Sequence, residues 1–213
     1  MPPRQDCPPH PPNVHPIPAD GRRNVGPLEA ILHREWPSGT IPPQQVLSAV
    51  DQIAALPSHV AGRLLDGLQG IYIGIGMAPD LDDMNDLRGR PVDPRNPHGA
   101  TWDLIPGAYR EGVLVVGSGG KPLTSSIFLH EAGHALDEMD GWMSGSPNFI
   151  ALHHGAAQVL VDDRYLNRAE AFAEFFALVS LRAWDVLEDL LGGASDRAYG
   201  VGSWYLRNYG IGR

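Results

Sequence analysis

The stretch SSIFLHEAGHALDEMD, residues 125–140, decides how this chain is read. Inside it, HEAGH (130–134) sets two histidines four positions apart with a glutamate beside the first. Residues four apart on a helix lie one above the other on the same face. His130 and His134 can therefore direct ring nitrogens at one ion, while Glu131 stands close enough to handle a proton of a metal-held water. The flanks support a helix. A Thr-Ser-Ser cluster (124–126) precedes it and can cap it, the apolar positions fall on one side, and Gly141 stops it. Two incidental histidines on a helix are the plainer alternative, and the helical context argues against it.

Two histidines do not complete a catalytic zinc site, which takes a third protein ligand and leaves the fourth position open. Three places compete for that role. Asp140 lies ten residues after His130, as in short HExxHxxGxxD motifs, but Asp137 stands where that pattern has a helix-breaking glycine. His153 and His154 form a second option, in a segment that reads as loop. Glu170 is the third. Asn167-Arg168-Ala169-Glu170 also has the spacing of a reciprocal helix cap, which would explain Glu170 without a metal. Glu174 shifts the balance, because it lies one turn on, on the same face. One carboxylate can bind an ion while the other accepts the free ring N–H of a ligand histidine. Two acids within the otherwise apolar AEAFAEFFALV would be costly to bury without such a purpose.

The bulk properties exclude other classes. The chain has 213 residues, a net charge of −9 and one cysteine, Cys7. No clustered Lys and Arg offer a nucleic-acid surface. A single cysteine allows neither an intrachain disulfide nor a thiolate cluster, so a metal must be held by N and O donors. No apolar run approaches the roughly 20 residues of a membrane span. The N-terminal stretch shows no basic segment followed by an apolar core, so no secretory signal is visible.

Eight of the first eighteen residues are proline, which reads as a mobile extended tail over 1–26, with His10 and His15 solvated in it. One domain is expected over 27–213. PLEAILHRE (27–35) reads as a short helix. The apolar spacing Val46, Leu47, Val50, Ile53, Ala54 and Val60, Leu64, Leu65 predicts two helices divided at Pro57. IYIGIG (71–76) and GVLVVG (112–117) read as strands. Residues 78–100 read as loop. AEAFAEFFALVSLRAWDVLEDLL predicts one long helix after an Asn167 cap. Helices, strands and helices in unequal blocks indicate an α+β domain.

Three stretches, GATWDLIPGAYREGVLVVGSG (99–119), SSIFLHEAGHALD (125–137) and YLNRAEAFAEFFA (165–177), together resemble the zinc metallopeptidases related to the anthrax lethal factor catalytic domain. Within that group they look most like the secreted Pro-Pro endopeptidases. The resemblance implies a zincin-like α+β metallopeptidase domain: a small mixed sheet, an HExxH helix and a following glutamate-bearing helix. By position it implies zinc ligands His130, His134 and Glu170, with Glu131 as catalytic base and Glu174 as the acidic residue one turn beyond the ligand. The family's carbonyl-binding tyrosine falls on Tyr165, which stands five residues before Glu170, closer than the family usually places it. GVLVVG, with Val115, is implied to be the strand lining the cleft, to whose edge an extended peptide adds. Trp102 would floor or flank that cleft, or sit in the core. Tyr109–Gly112, YREG, replaces the glycine-rich sequence with which the Pro-Pro endopeptidases read proline, so proline specificity is not implied.

The expected activity is zinc-dependent endopeptidase hydrolysis of an extended protein or peptide by a secreted monomer, with Glu131 as general base and Tyr165 as donor to the oxyanion. A catalytically inactive binding domain of the same fold is one alternative, and the intact Glu131 argues against it. A toxin or effector domain acting inside a target cell is another. A deformylase-type hydrolase would need a metal-ligating cysteine, which Cys7 in the tail does not provide.

Overall fold

The structure is a computed structural model that describes residues 8–37, 39–81, 84–121 and 123–212. Cys7 lies outside them. The chain divides into two compact units, one ending at Leu123 and the other beginning at Thr124.

The first unit is built on a four-stranded sheet. Its strands are β1 (Leu32–Glu35), β2 (Gly70–Gly74), β3 (Gly107–Arg110) and β4 (Val113–Val116), in the order β1-β2-β4-β3. β1 and β4 run parallel to β2, and β3 is antiparallel to β4. Parallel neighbours need a crossover connection. Between β1 and β2 it is supplied by α1 (Gln44–Ala54) and α2 (Ser58–Gly67), which divide at Pro57 as the spacing predicts. α1 buries Val46, Ala49, Val50 and Ile53, one helical stripe. The helix expected over 27–35 is instead a 3-10 turn, Gly26–Ala30, followed by β1. Pairing with β2 decides that segment, because its pattern is too short to specify a period by itself. The loop read over 78–100 contains two 3-10 turns, Ala78–Asp80 and Asn85–Leu87.

One further expectation changes here. Val115 pairs with Tyr72 on one side and Ala108 on the other, so the strand expected to offer an edge is interior. All four residues of β4 are buried, as suits a strand paired on both sides. β1 and β3 are the edges. β3 was not anticipated because GAYR carries no alternation; it is set by a two-residue hairpin at Glu111 and Gly112, both at positive φ (51° and 80°). Within the described part of the tail several groups are hydrogen-bonded. Arg34 is buried, and its guanidinium donates to the carbonyls of Gly21 (3.1 Å) and Arg23 (2.9 Å) and to both oxygens of Glu29. A buried guanidinium must place its donors, and the segment before Gly26 wraps it to do so. His10 meets Asp20 at 2.8 Å.

The second unit is helical: α3 (Ile127–Met139), α4 (Pro147–Ala157), α5 (Arg168–Leu181), α6 (Trp184–Leu190) and α7 (Ser195–Tyr209). Ser126 caps α3 by accepting from the Leu129 N–H at 3.1 Å. The helix ends at Asp140 with Gly141 left-handed, the Gly141 N–H donating to Glu138 and the Trp142 N–H to Asp137. That is the double C-terminal closure a glycine at this position permits. α5 is buried continuously from Ala171 to Val179, and its aromatic residues Phe172 and Phe176 pack on Tyr205 and Tyr209 of α7. The long helix expected after Asn167 breaks at Arg182, left-handed at φ 55°, into α5 and α6. Neither Gly nor Pro marks the break, so the apolar spacing runs through it unnoticed. No helix among the described residues is long and apolar enough to cross a membrane.

Candidate metal centre

α3 and α5 bring the site together. Gly133, in the middle of HEAGH, is the point of contact: a Cβ there would lie 2.7 Å from the Ala173 Cα. The missing side chain lets the two backbones approach closely, which brings carboxylates of α5 within reach of histidines of α3. The sequence reading passed over this glycine. Its signal was a helix-interior glycine whose cost, about 1 kcal/mol relative to alanine, demands a packing reason.

His130 is buried and His134 is less so. Their Nε2 atoms face each other at 3.1 Å. Glu170 places Oε2 3.4 Å from His130 Nε2 and Oε1 3.6 Å from His134 Nε2. One ligand atom from each of the three lies within 4.8 Å of the others. A tetrahedral ion with bonds of about 2.0–2.1 Å holds its ligands about 3.3 Å apart. The donor atoms therefore already stand at the spacing of three corners of such a site, and two imidazoles with one carboxylate form a donor set suited to zinc.

Behind this triad stands Glu174, 2% exposed. Its Oε2 lies 3.0 Å from His130 Nδ1, and its Oε1 accepts the Ser125 backbone N–H at 2.9 Å. A carboxylate opposite Nδ1 accepts a hydrogen bond from the N–H there and leaves Nε2 to face the site.

The electrostatics follow from this packing without an ion. Burial disfavours a charged His130, but hydrogen bonds to Glu170 and Glu174 outweigh it and raise its pKa to about 10. Burial and the neighbouring positive His130 push His134 down to about 4. Hydrogen bonding to His130 holds Glu170 below the usual carboxylate value. Burial opposes the charge on Glu174, yet the bonds from His130 and Ser125 keep its pKa lowered as well. The two carboxylates thus flank His130, Glu174 at Nδ1 and Glu170 at Nε2, and a cation at the centre would take the place of a proton on Nε2.

The other candidates lie elsewhere. Asp140 accepts a hydrogen bond from the Tyr209 hydroxyl at 2.7 Å, a contact that ties the end of α3 to α7. Asp137 is buried and accepts the Ser144 N–H at 2.6 Å, bracing the loop after α3. His153 and His154, read as loop residues, lie on α4; His153 is buried with Nε2 2.8 Å from the Tyr165 carbonyl oxygen. The reciprocal cap weighed for Glu170 gives way to a simpler one, in which Asn167 accepts the Ala169 N–H at 2.9 Å. Glu131 is half-buried on α3, close enough for its charge to favour a protonated His130. Tyr165 is 4% exposed, and burial together with the adjacent Glu174 carboxylate raises its pKa. Trp102 and Val115 belong to the first unit, where Val115 is part of a buried cluster and Trp102 packs half-buried against it.

No family model and no curated protein matches the chain. Among solved structures, the fold is similar to that of the Pro-Pro endopeptidase PPEP-2 from Paenibacillus alvei. The TM-score is 0.63 at 21% identity, with 82% of this chain and 99% of that chain covered.

Proposed function

We propose that the chain is a zinc-dependent metalloendopeptidase, a reading in line with the lethal-factor-like group its motifs resemble. The observation that carries it is the convergence of His130 Nε2, His134 Nε2 and the Glu170 carboxylate at tetrahedral-ligand spacing, with Glu131 one residue from the first ligand. The likeness in fold to a Pro-Pro endopeptidase supports the same reading. His130, His134 and Glu170 would hold the ion. When bound, zinc lowers the pKa of a coordinated water to about 7 and polarises the scissile carbonyl.

The remaining work belongs to the chain's own groups. Glu131 accepts a proton from the attacking water at its carboxylate. It returns that proton to the amine nitrogen as the C–N bond breaks. Glu174 fixes the His130 tautomer from Nδ1, and Ser125 fixes Glu174 in turn. Tyr165 keeps its proton, and beside Glu174 it steadies that carboxylate. In this reading Tyr165, 4% exposed, is also the donor to the oxyanion. The substrate is a protein or peptide in extended conformation, and its edge-wise pairing, if used, falls to an edge strand and not to β4.

Metal analysis after dialysis tests the reading first: close to one equivalent of zinc per chain, lost in His134→Ala. Hydrolysis of a mixed peptide library by the zinc-loaded chain tests it second. Full zinc in His134→Ala, or no cleavage of any peptide by the loaded chain, overturns it.

A further inference from the structure

A groove of about 670 Å³ lies wholly within the second unit, between α4, the loop that follows α3, and the segment that opens α5. Its lining includes Trp142, Ile150, His154, Ala157, Leu166 and Arg168. Its volume falls within the roughly 300–1,000 Å³ of small-ligand sites. Two features separate it from an ordinary surface fold.

The first is Trp142. It is 59% exposed, and its backbone is left-handed at φ 65° and ψ 60°. A bulky residue in that conformation is strained, and glycine would adopt it freely. The position thus bears both backbone strain and an exposed indole. Strain of this kind persists where surrounding structure enforces it, and here Asp137 does so, accepting the Trp142 N–H at its carbonyl and the Ser144 N–H at its side chain. Ile150 (38% exposed) and Leu166 (51%) add apolar surface in the same groove.

The second feature is continuity with the metal centre. One wall is Leu166–Ala169, the four residues that lie between Tyr165 and Glu170. His153, in the same groove, holds the Tyr165 carbonyl at 2.8 Å. The groove and the candidate metal centre thus share one short segment, the one that leads into Glu170.

We propose that this groove takes a large apolar side chain, aromatic or branched aliphatic, of the peptide whose bond is cut, with Trp142 as its specificity-determining residue. The proposal rests on the metallopeptidase reading and names a side chain that its substrate must carry. An aromatic face on a rigid backbone suits this purpose because it offers large contact area without further ordering.

The test uses the full chain and capped fluorescent octapeptide pools, each fixed at one position as Phe, Leu, Ser or Asp. Cleavage is measured with the zinc-loaded chain, and binding by anisotropy with its Glu131→Gln form. Trp142→Gly and Ile150→Asp are compared in both backgrounds. Trp142→Gly removes the indole and relieves the backbone, so its melting temperature should equal or exceed the parent's. The expected result is roughly a tenfold or greater preference for Phe or Leu over Asp at one position. That preference should appear in binding as well as cleavage, and both variants should lose it with zinc content unchanged. Cleavage without an apolar preference, or a preference that survives in both variants, overturns the groove assignment and leaves the peptidase reading standing. Cleavage and binding of no pool at all overturns the peptidase reading, and the groove assignment falls with it.

Discussion

Glu174 holds His130 from the side away from the candidate metal: Oε2 lies 3.0 Å from Nδ1, while Oε1 accepts the Ser125 N–H at 2.9 Å. The carboxylate thereby joins the loop before α3 to the ring that α3 presents. Glu174→Ala should weaken zinc binding about 10- to 100-fold, the range for partners that orient a ligand histidine. Glu174→Gln, which keeps an acceptor oxygen, should lose less. Competition against a chromophoric chelator measures both. Equal affinity in Glu174→Ala and the parent would show that the ring needs no such support.

Glu131 is beside the ligands but outside the donor set. Its replacement by glutamine should leave zinc content and melting temperature near those of the parent. Peptide hydrolysis should fall by about 10²–10⁴, the usual contribution of a positioned general base. An active Glu131→Gln would move the base to another group.

Two contacts separate the candidates for a third ligand. Glu170 faces both Nε2 atoms, and Asp140 is held by the Tyr209 hydroxyl. Glu170→Ala should therefore empty the site at zinc concentrations where Asp140→Ala and His153→Ala remain loaded. Asp140→Ala should instead lower stability, by about 1.5–3 kcal/mol for a hydrogen bond to a charged group. An Asp140→Ala chain without zinc, beside a loaded Glu170→Ala chain, would reverse the assignment.

Gly133 makes the meeting of α3 and α5 a measurable quantity. A Cβ 2.7 Å from the Ala173 Cα cannot be absorbed by rotating a side chain, because the obstacle is backbone. Gly133→Ala should cost about 1–3 kcal/mol of stability as an overpacked core does, despite alanine's better helix propensity. Zinc affinity should fall as well, since the separating helices carry the ligands apart. Denaturant unfolding and chelator competition report the two effects. A more stable variant with unchanged affinity would show that the contact is not tight.

Asp137 gives a pH signature independent of the ligands. Burial raises its pKa above the ordinary value, the Ser144 N–H opposes that rise, and nearby Asp140 adds to it; Tyr205 of α7 faces it from the aromatic core. A folded-state pKa above the unfolded one means the folded chain binds the proton more tightly. The associated stability is present below the unfolded value of about 3.9 and is lost as pH rises through the raised folded value. Asp137→Asn does not titrate there. Its melting temperature relative to the parent should therefore improve between pH 4.5 and pH 7.5. A parent–variant difference that stays constant across this range would mean that Asp137 titrates normally.

Local sequence determined much of the chemistry. Spacing of four on a helix places His130 above His134, and Ser126, Gly141 and Asn167 mark where α3 and α5 start or stop. These are consequences of 3.6 residues per turn and of backbone groups that need caps, both legible within a few positions. Helices α1 and α2 and strand β2 are legible for the same reason. Tertiary structure decided what depends on partners distant in sequence. β1 is a strand because β2 lies beside it, and β4 is interior because β3 returns along it. The carbonyls of Gly21 and Arg23 meet a buried guanidinium, that of Arg34, thirteen and eleven residues away. Glu170 could have capped its own helix as the spacing allowed. It faces the histidines instead because Gly133 lets α5 lie against α3, and the geometry of a three-donor centre exists only once those two helices touch.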